Sequence, residues 1–135
     1  APRLFPDYVA PLRAAAQGAQ VEFKGPFPPG RAADVLAGFD VLVVPSIWYE
    51  NRPITISEAF LAAVVPVVTD LGGMAESVRD GVDSLVFPRG DSKALATVLK
   101  RMATEPGLYD SLSAGRPDLP DIPEVVETLL GFYTA

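Results

Sequence analysis

Glu50 and Glu58 stand with seven residues between them in PSIWYENRPITISEAF, residues 45–60, directly after the apolar run DVLVVP. Two carboxylates at the end of an apolar run are placed to hold something. Pro53 disfavours helical geometry at Arg52, so Glu50 belongs to a loop and Glu58 to the helix that follows, from about Thr55. The first turn of such a helix offers free amides and a partial positive charge, which suit a phosphate. Carboxylates accept hydrogen bonds from pairs of hydroxyls. One carboxylate in the loop and one a turn inside the helix therefore suit a phosphorylated sugar.

Each of these residues also has a plainer role open to it. A glutamate in the first turns of a helix is favourable against the macrodipole without any ligand. Glu50 can be solvated loop, and Arg52 a surface charge. Trp48 and Tyr49 can wedge the loop or touch a ligand. Gly72–Gly73 can be a simple turn, and Glu76 an exposed helix residue. What weighs against the plainer roles is position along the chain, which depends on the elements around them.

Short β-branched runs alternate with helical patterns. VEF (21–23), DVLVV (40–44), VPVV (65–68) and SLVF (84–87) read as strands. The middle two are apolar on both alternating faces, as buried parallel strands are. Helices are expected over 7–16, 31–37, 55–63 and 74–79. A further helix, capped by Asp91 or Ser92, carries Leu95, Val98, Leu99 and Met102 at helical spacing. The turn-rich EPGLYDSLSAGRPDLPDIP then leads to a final helix within 121–135, with Val125, Val126, Leu129, Leu130 and Tyr133 on one side. Strands joined through helices imply crossovers, hence a Rossmann-like α/β domain with a parallel sheet flanked by helices.

Ligands of open α/β sheets lie outside the carboxyl ends of the strands. Three loops, at 25–30 (GPFPPG), 45–53 and 70–73 (DLGG), each follow an expected strand. In a parallel sheet all three open at one edge, and Glu50 and Glu58 are expected to face one cleft there.

Composition narrows the chemistry. The 135 residues fit one domain, and 49% hydrophobic content fits a globular chain. A net charge of −6 argues against nucleic acid as the main partner. The chain has no cysteine and no histidine, so thiol, Ser-His and His-metal arrangements are excluded. No transmembrane segment or signal-peptide pattern is read, and a cytoplasmic location is expected, membrane-peripheral at most.

At these residues the sequence resembles a known family. DVLVVPSIWYENRPITISEAF followed by VPVVTDLGGMAESVRDGVDSLVFPRGDSKALATVLKRM is similar to the C-terminal half of retaining GT-B glycosyltransferases of the group 1 type, over about residues 7–110. Their mark is a pair of glutamates separated by seven residues. The resemblance implies a half-domain that binds a nucleotide-sugar donor. Glu58 would accept from the ribose hydroxyls and Glu50, the catalytic candidate, from the donor sugar. The backbone from Asn51 through Arg52, Pro53 and Ile54 to Thr55 would face sugar and diphosphate. Pro26 and Phe27 would lie along the base, and Gly72–Gly73 would let the backbone approach the donor. The implied reaction is glycosyl transfer with retention, in polysaccharide or glycoconjugate synthesis. It uses no metal and no cofactor beyond the donor itself, and fixed dipoles and cations stabilise the leaving diphosphate.

The sequence also departs from that pattern. The family's diphosphate Arg and Lys lie on an earlier segment, and its acceptor-binding N-terminal domain precedes that. Neither lies within residues 1–135, which therefore read as one nucleotide-sugar-binding domain, incomplete at its N-terminus and inactive alone. Ala63 stands where glycine is common, the usual proline is displaced to Pro66, and Asp83–Ser84 replaces an Asn-Gly. A GT-B sugar-nucleotide epimerase fits the Glu50/Glu58 loop less well. A non-catalytic α/β binding module of the phosphorylation-receiver type would need an aspartate where Pro45–Ser46 stand.

Overall fold

The computed structural model describes residues 6–28, 30–120 and 122–134. The chain divides into two compact units, Ala1–Ala32 and Ala33–Ala135. In the first, helix α1 (Pro6–Ala15) carries a proline, Pro11, within it. The Arg13 guanidinium lies 4.6 Å from the centre of the Phe23 ring, a cation–π contact.

The expected strand VEF does not form. Residues 21–28 are irregular, with Val21 and Phe23 exposed, and the Val21 N–H bonds Ala19 O at 2.9 Å in a local turn. Three β-prone residues become a strand only beside a partner, and a local turn competes for this one. The loop at 25–30 therefore follows no strand.

The second unit runs α2 (Ala32–Leu36, with its first residue at the division), β1 (Val41–Val44), α3 (Ile54–Leu61), β2 (Val65–Thr69), α4 (Gly73–Glu76), β3 (Leu85–Phe87), α5 (Ser92–Thr104), α6 (Leu108–Ala114) and α7 (Ile122–Thr134). The sheet is parallel, in the order β1-β2-β3, with Val43 opposite Val67 and Val68 opposite Val86. All five residues of β2 are buried, as its two-faced apolar pattern requires. β1 is half-buried throughout, because it lies at an edge of this sheet and not at its centre.

Period-two alternation splits the core. Val68 joins Ile56, Phe60, Leu71 and Met74 on the α3–α4 side. Val65 and Val67 join Leu85, Phe87 and Leu112 on the other side, where Leu95, Val98 and Met102 of α5 pack. Leu99, expected in that stripe, stays 37% exposed. Asp91 caps α5 as expected, accepting from the Lys93 and Ala94 amides at 2.9 Å each.

Two departures in the β2 region have local explanations. Val65 N–H bonds Asp40 O on the β1 side, and Asp70 N–H bonds Phe87 O on the β3 side. Alternation turns position 66 toward β3, whose pairing starts one residue later at Val67↔Leu85. Pro66 therefore withholds its N–H where β3 has no partner to offer. Ala63 has φ +58, where glycine is the usual choice. The Ala63 N–H bonds Phe60 O and the Val64 N–H bonds Ala59 O, which is the double closure of a helix ended by a left-handed residue.

Helix α6 lies inside the stretch expected to be turns. Gly107 and Gly115 flank it and no side chain caps its start, so its ends read as breakers. Its hold is tertiary, through Leu112, which is fully buried. The segment after α6 is fixed by Arg79, whose Nη2 donates to Gly115 O at 2.7 Å. Arg79 in turn donates from Nε to the buried Asp83 at 2.7 Å. Asp83 is thus the accepting half of a local lock. Helix α7 forms where the final helix is expected, and its Val125, Val126, Leu129, Leu130 and Tyr133 side chains are exposed.

Candidate active site

Two loops leave the carboxyl edge of the sheet side by side. Residues 45–53 leave β1 and residues 70–72 leave β2, and the strands are parallel neighbours. Thr69 at the end of β2 donates from Oγ1 to Val44 O at 3.3 Å, which fixes where β1 gives way to its loop. The loops then touch. The Gly73 N–H bonds Glu50 O at 3.2 Å.

The glycine pair exists because of that approach. A Cβ on Gly73 would lie 1.5 Å from Asn51 O and 2.7 Å from Glu50 O. A Cβ on Gly72 would meet the edge of the Tyr49 ring at 3.0 Å, and Gly72 also has φ +48. No side chain fits between these main chains. Gly72–Gly73 thus hold the Glu50 loop.

Glu50 is half-buried, and its Oε1 accepts from the Trp48 indole Nε1 at 2.5 Å. Trp48, Tyr49, Ile47 and Ile54 are all more than half exposed along this rim.

Helix α3 begins at Ile54, one residue before the expected start. Pro53 is its N-cap, with extended geometry and no side chain bonded to the first turn. The first amides of α3 are therefore not spent on a side-chain cap. Glu58, half-buried one turn further in, lines a cavity of about 400 Å³ with Ala33, Asp34, Ala37, Leu61 and Ala62. Arg52 and Ser57 line a different cavity of about 190 Å³ on the α4 flank, with Glu76, Ser77 and Arg79. The two glutamates thus stand on the loop and helix expected of them, Glu50 beside the 70–73 loop and Glu58 on the α2 flank of α3. Asn51 and Thr55 are exposed. Pro26 and Phe27 belong to the first unit, where both are exposed.

Sequence reasoning missed the Trp48–Glu50 contact, although a donor-only side chain two residues from a carboxylate was the available signal. Among the described residues, no group of three or more Asp, Glu, His or Cys could hold a metal ion. No helix among them is long and apolar enough to cross a membrane.

Residues 6–105 match the family model described as glycosyl transferases group 1. The D-inositol 3-phosphate glycosyltransferase of Rhodococcus jostii (strain RHA1) is 30% identical over 99 residues, covering 73% of this chain and 22% of that protein. One of the same name from Thermomonospora curvata is 32% identical over 95 residues, covering 70% and 22%. The chain thus spans about a fifth of the length of these relatives. Among solved structures, Anabaena Alr3699/HepE in complex with UDP and glucose superposes with a TM-score of 0.78 at 23% identity, over 94% of this chain and 37% of that one. The same protein in complex with UDP-glucose gives 0.72 at 23%, over 93% and 37%. These structures share its α/β fold, that of the GT-B glycosyltransferases, and with residues 6–105 matched the chain belongs to the glycosyl transferases group 1 family.

Proposed function

We propose that this chain is the donor-binding part of a longer, retaining and metal-independent hexosyltransferase, with the acceptor held by an N-terminal domain of the same protein. The observation that carries the reading is the paired loop at the sheet's carboxyl edge. Glu50 is tied there to Gly73, and the uncapped start of α3 follows directly, with Glu58 a turn inside. Glu58 takes the ribose hydroxyls and Glu50 the sugar hydroxyls. The amides at Ile54 and Thr55 face the diphosphate and stabilise it as it leaves. The UDP and UDP-glucose in the Anabaena complexes make a UDP-hexose the first donor to try.

Chemistry divides the two carboxylates. Ribose hydroxyls are bound alike in ground and transition states, so Glu58→Gln in the full-length enzyme is expected to raise KM for the donor with kcat little changed. The sugar gains positive character as the diphosphate departs, and a carboxylate beside it stabilises that charge. Glu50→Gln is therefore expected to lower kcat by roughly tenfold, the worth of one charged hydrogen bond at the low end of its range. Steady-state kinetics with varied donor decide the matter. Equal, purely KM effects from both variants would refute the division of roles.

The 135 residues alone are expected to show no transfer activity and to bind a UDP-hexose weakly. The family's diphosphate Arg and Lys lie outside them. Two charged hydrogen bonds at roughly 1.5–3 kcal/mol each amount to about two to four decades of affinity. Calorimetry giving a sub-micromolar Kd would show that the residues present suffice.

A further inference from the structure

Glu50 is held twice. Its carbonyl is fixed by the Gly73 N–H from the neighbouring loop, at 3.2 Å. Its carboxylate is fixed from within its own loop, by the Trp48 indole N–H at 2.5 Å. We propose that Trp48 is a positioning residue: its indole N–H sets the Glu50 carboxylate in the orientation the donor sugar requires, a role that rests on the reading of Glu50 given above.

Three observations support it. Trp48 is 62% exposed, so burial of its ring is a poor reason for a tryptophan at this place. Its neighbour Tyr49 already supplies the ring that packs on Gly72. What Trp48 adds is a donor that cannot accept and does not titrate, aimed at one oxygen of an acceptor-only group. With Oε1 engaged, the other oxygen is presented to a ligand hydroxyl. A free glutamate must lose rotamer freedom when it binds. The indole restricts that freedom before the donor arrives, which is preorganisation in the sense that accelerates a charged step.

The test replaces the Trp48 indole by its benzothiophene isostere, which keeps ring size and loses only the N–H, in the full-length enzyme. Trp48→Phe serves as a second variant. Both are expected to lower kcat by about tenfold, with donor KM within about twofold and Tm unchanged, as loss of one charged hydrogen bond implies. In a Glu50→Ala background the same replacements are expected to change nothing further, since the N–H then has no carboxylate to hold. A loss as large there as in the wild type would overturn the proposal. So would wild-type kcat in the isostere variant. If Glu50→Ala itself turns over at the wild-type rate, the role of Glu50 fails first and takes the positioning with it. A readout independent of activity uses the 135-residue chain, in which Trp48 is the sole tryptophan. Its single indole N–H resonance is expected to move upfield and exchange faster in Glu50→Ala. An unmoved resonance would mean that the contact is absent in solution.

Discussion

Gly73→Ala is expected to reduce turnover of the proposed full-length transferase by about 100-fold or more, the scale set, under the role proposed for Glu50, by a catalytic group displaced by about 1 Å. The atoms an alanine would strike are Asn51 O at 1.5 Å, Asn51 C at 2.4 Å and Glu50 O at 2.7 Å. All three are main chain, so no rotamer change relieves the clash. Ordinary contact begins at 3.4 Å. The 45–53 loop must therefore retreat by well over an ångström, taking Glu50 with it and breaking the Gly73–Glu50 hydrogen bond. Overpacking of this kind also costs about 1–3 kcal/mol of stability. Gly90→Ala is the control. Gly90 also has positive φ, at +74, but nothing lies within 4 Å of its added Cβ. That variant should lose a little stability and keep its rate. Kinetics and melting curves of both variants check the contrast. A Gly73→Ala enzyme within about threefold of wild type would mean that the loop position is not what catalysis requires.

Phe60→Ala is expected to destabilise the fold by about 3–5 kcal/mol, a large part of the 5–15 kcal/mol typical of a whole domain. Phe60 is 4% exposed and packs with Ile56, Val68, Leu71 and Met74, so it joins α3, β2 and α4 at one point. Removing the ring leaves a cavity that these buried neighbours cannot all collapse to fill. The adjacent Leu61 is 72% exposed, and Leu61→Ala is expected to cost under about 1 kcal/mol. Urea denaturation followed by circular dichroism measures both. A cost below about 1 kcal/mol for Phe60→Ala would remove this cluster from the centre of the fold's stability.

The parts of this fold that could be read from sequence are those governed by local pattern. The runs at 40–44, 65–68 and 84–87 are largely β-branched and apolar, and each matches a strand of the sheet to within one residue. Pro53 places Glu50 in the loop and Glu58 in the helix, and Asp91 marks the start of α5. What could not be read depends on contacts between distant residues. VEF has the residues of a strand but closes a local turn. Helix α6 carries breakers at both ends and is held by buried Leu112, with Leu108 and Tyr109 packed on the same cluster. The glycine pair looks like a turn until Asn51 is seen lying against it, more than twenty residues away in the chain. Arg79 and Asp83 have the spacing of an ordinary helical ion pair. Their third member, Gly115 O, has no side chain to announce it.

The bond between Gly73 and Glu50 also bears on how such a protein can change over generations. Glu58 rides on a helix whose Ile56, Ala59 and Phe60 are embedded in the core, so a substitution that shifts it disturbs the whole fold. Glu50 lies in a surface loop, its carbonyl held by one amide of the neighbouring loop and its carboxylate by one indole of its own. Exposed Ile47, Tyr49, Asn51 and Arg52 around it can be exchanged at little cost in stability, each exchange re-aiming the carboxylate slightly. Under the proposed roles, the nucleotide end is inherited with the scaffold while the sugar end stays open to variation. New donor sugars would be reached by drift in the 45–53 loop, with Gly73 as the fixed point about which it turns.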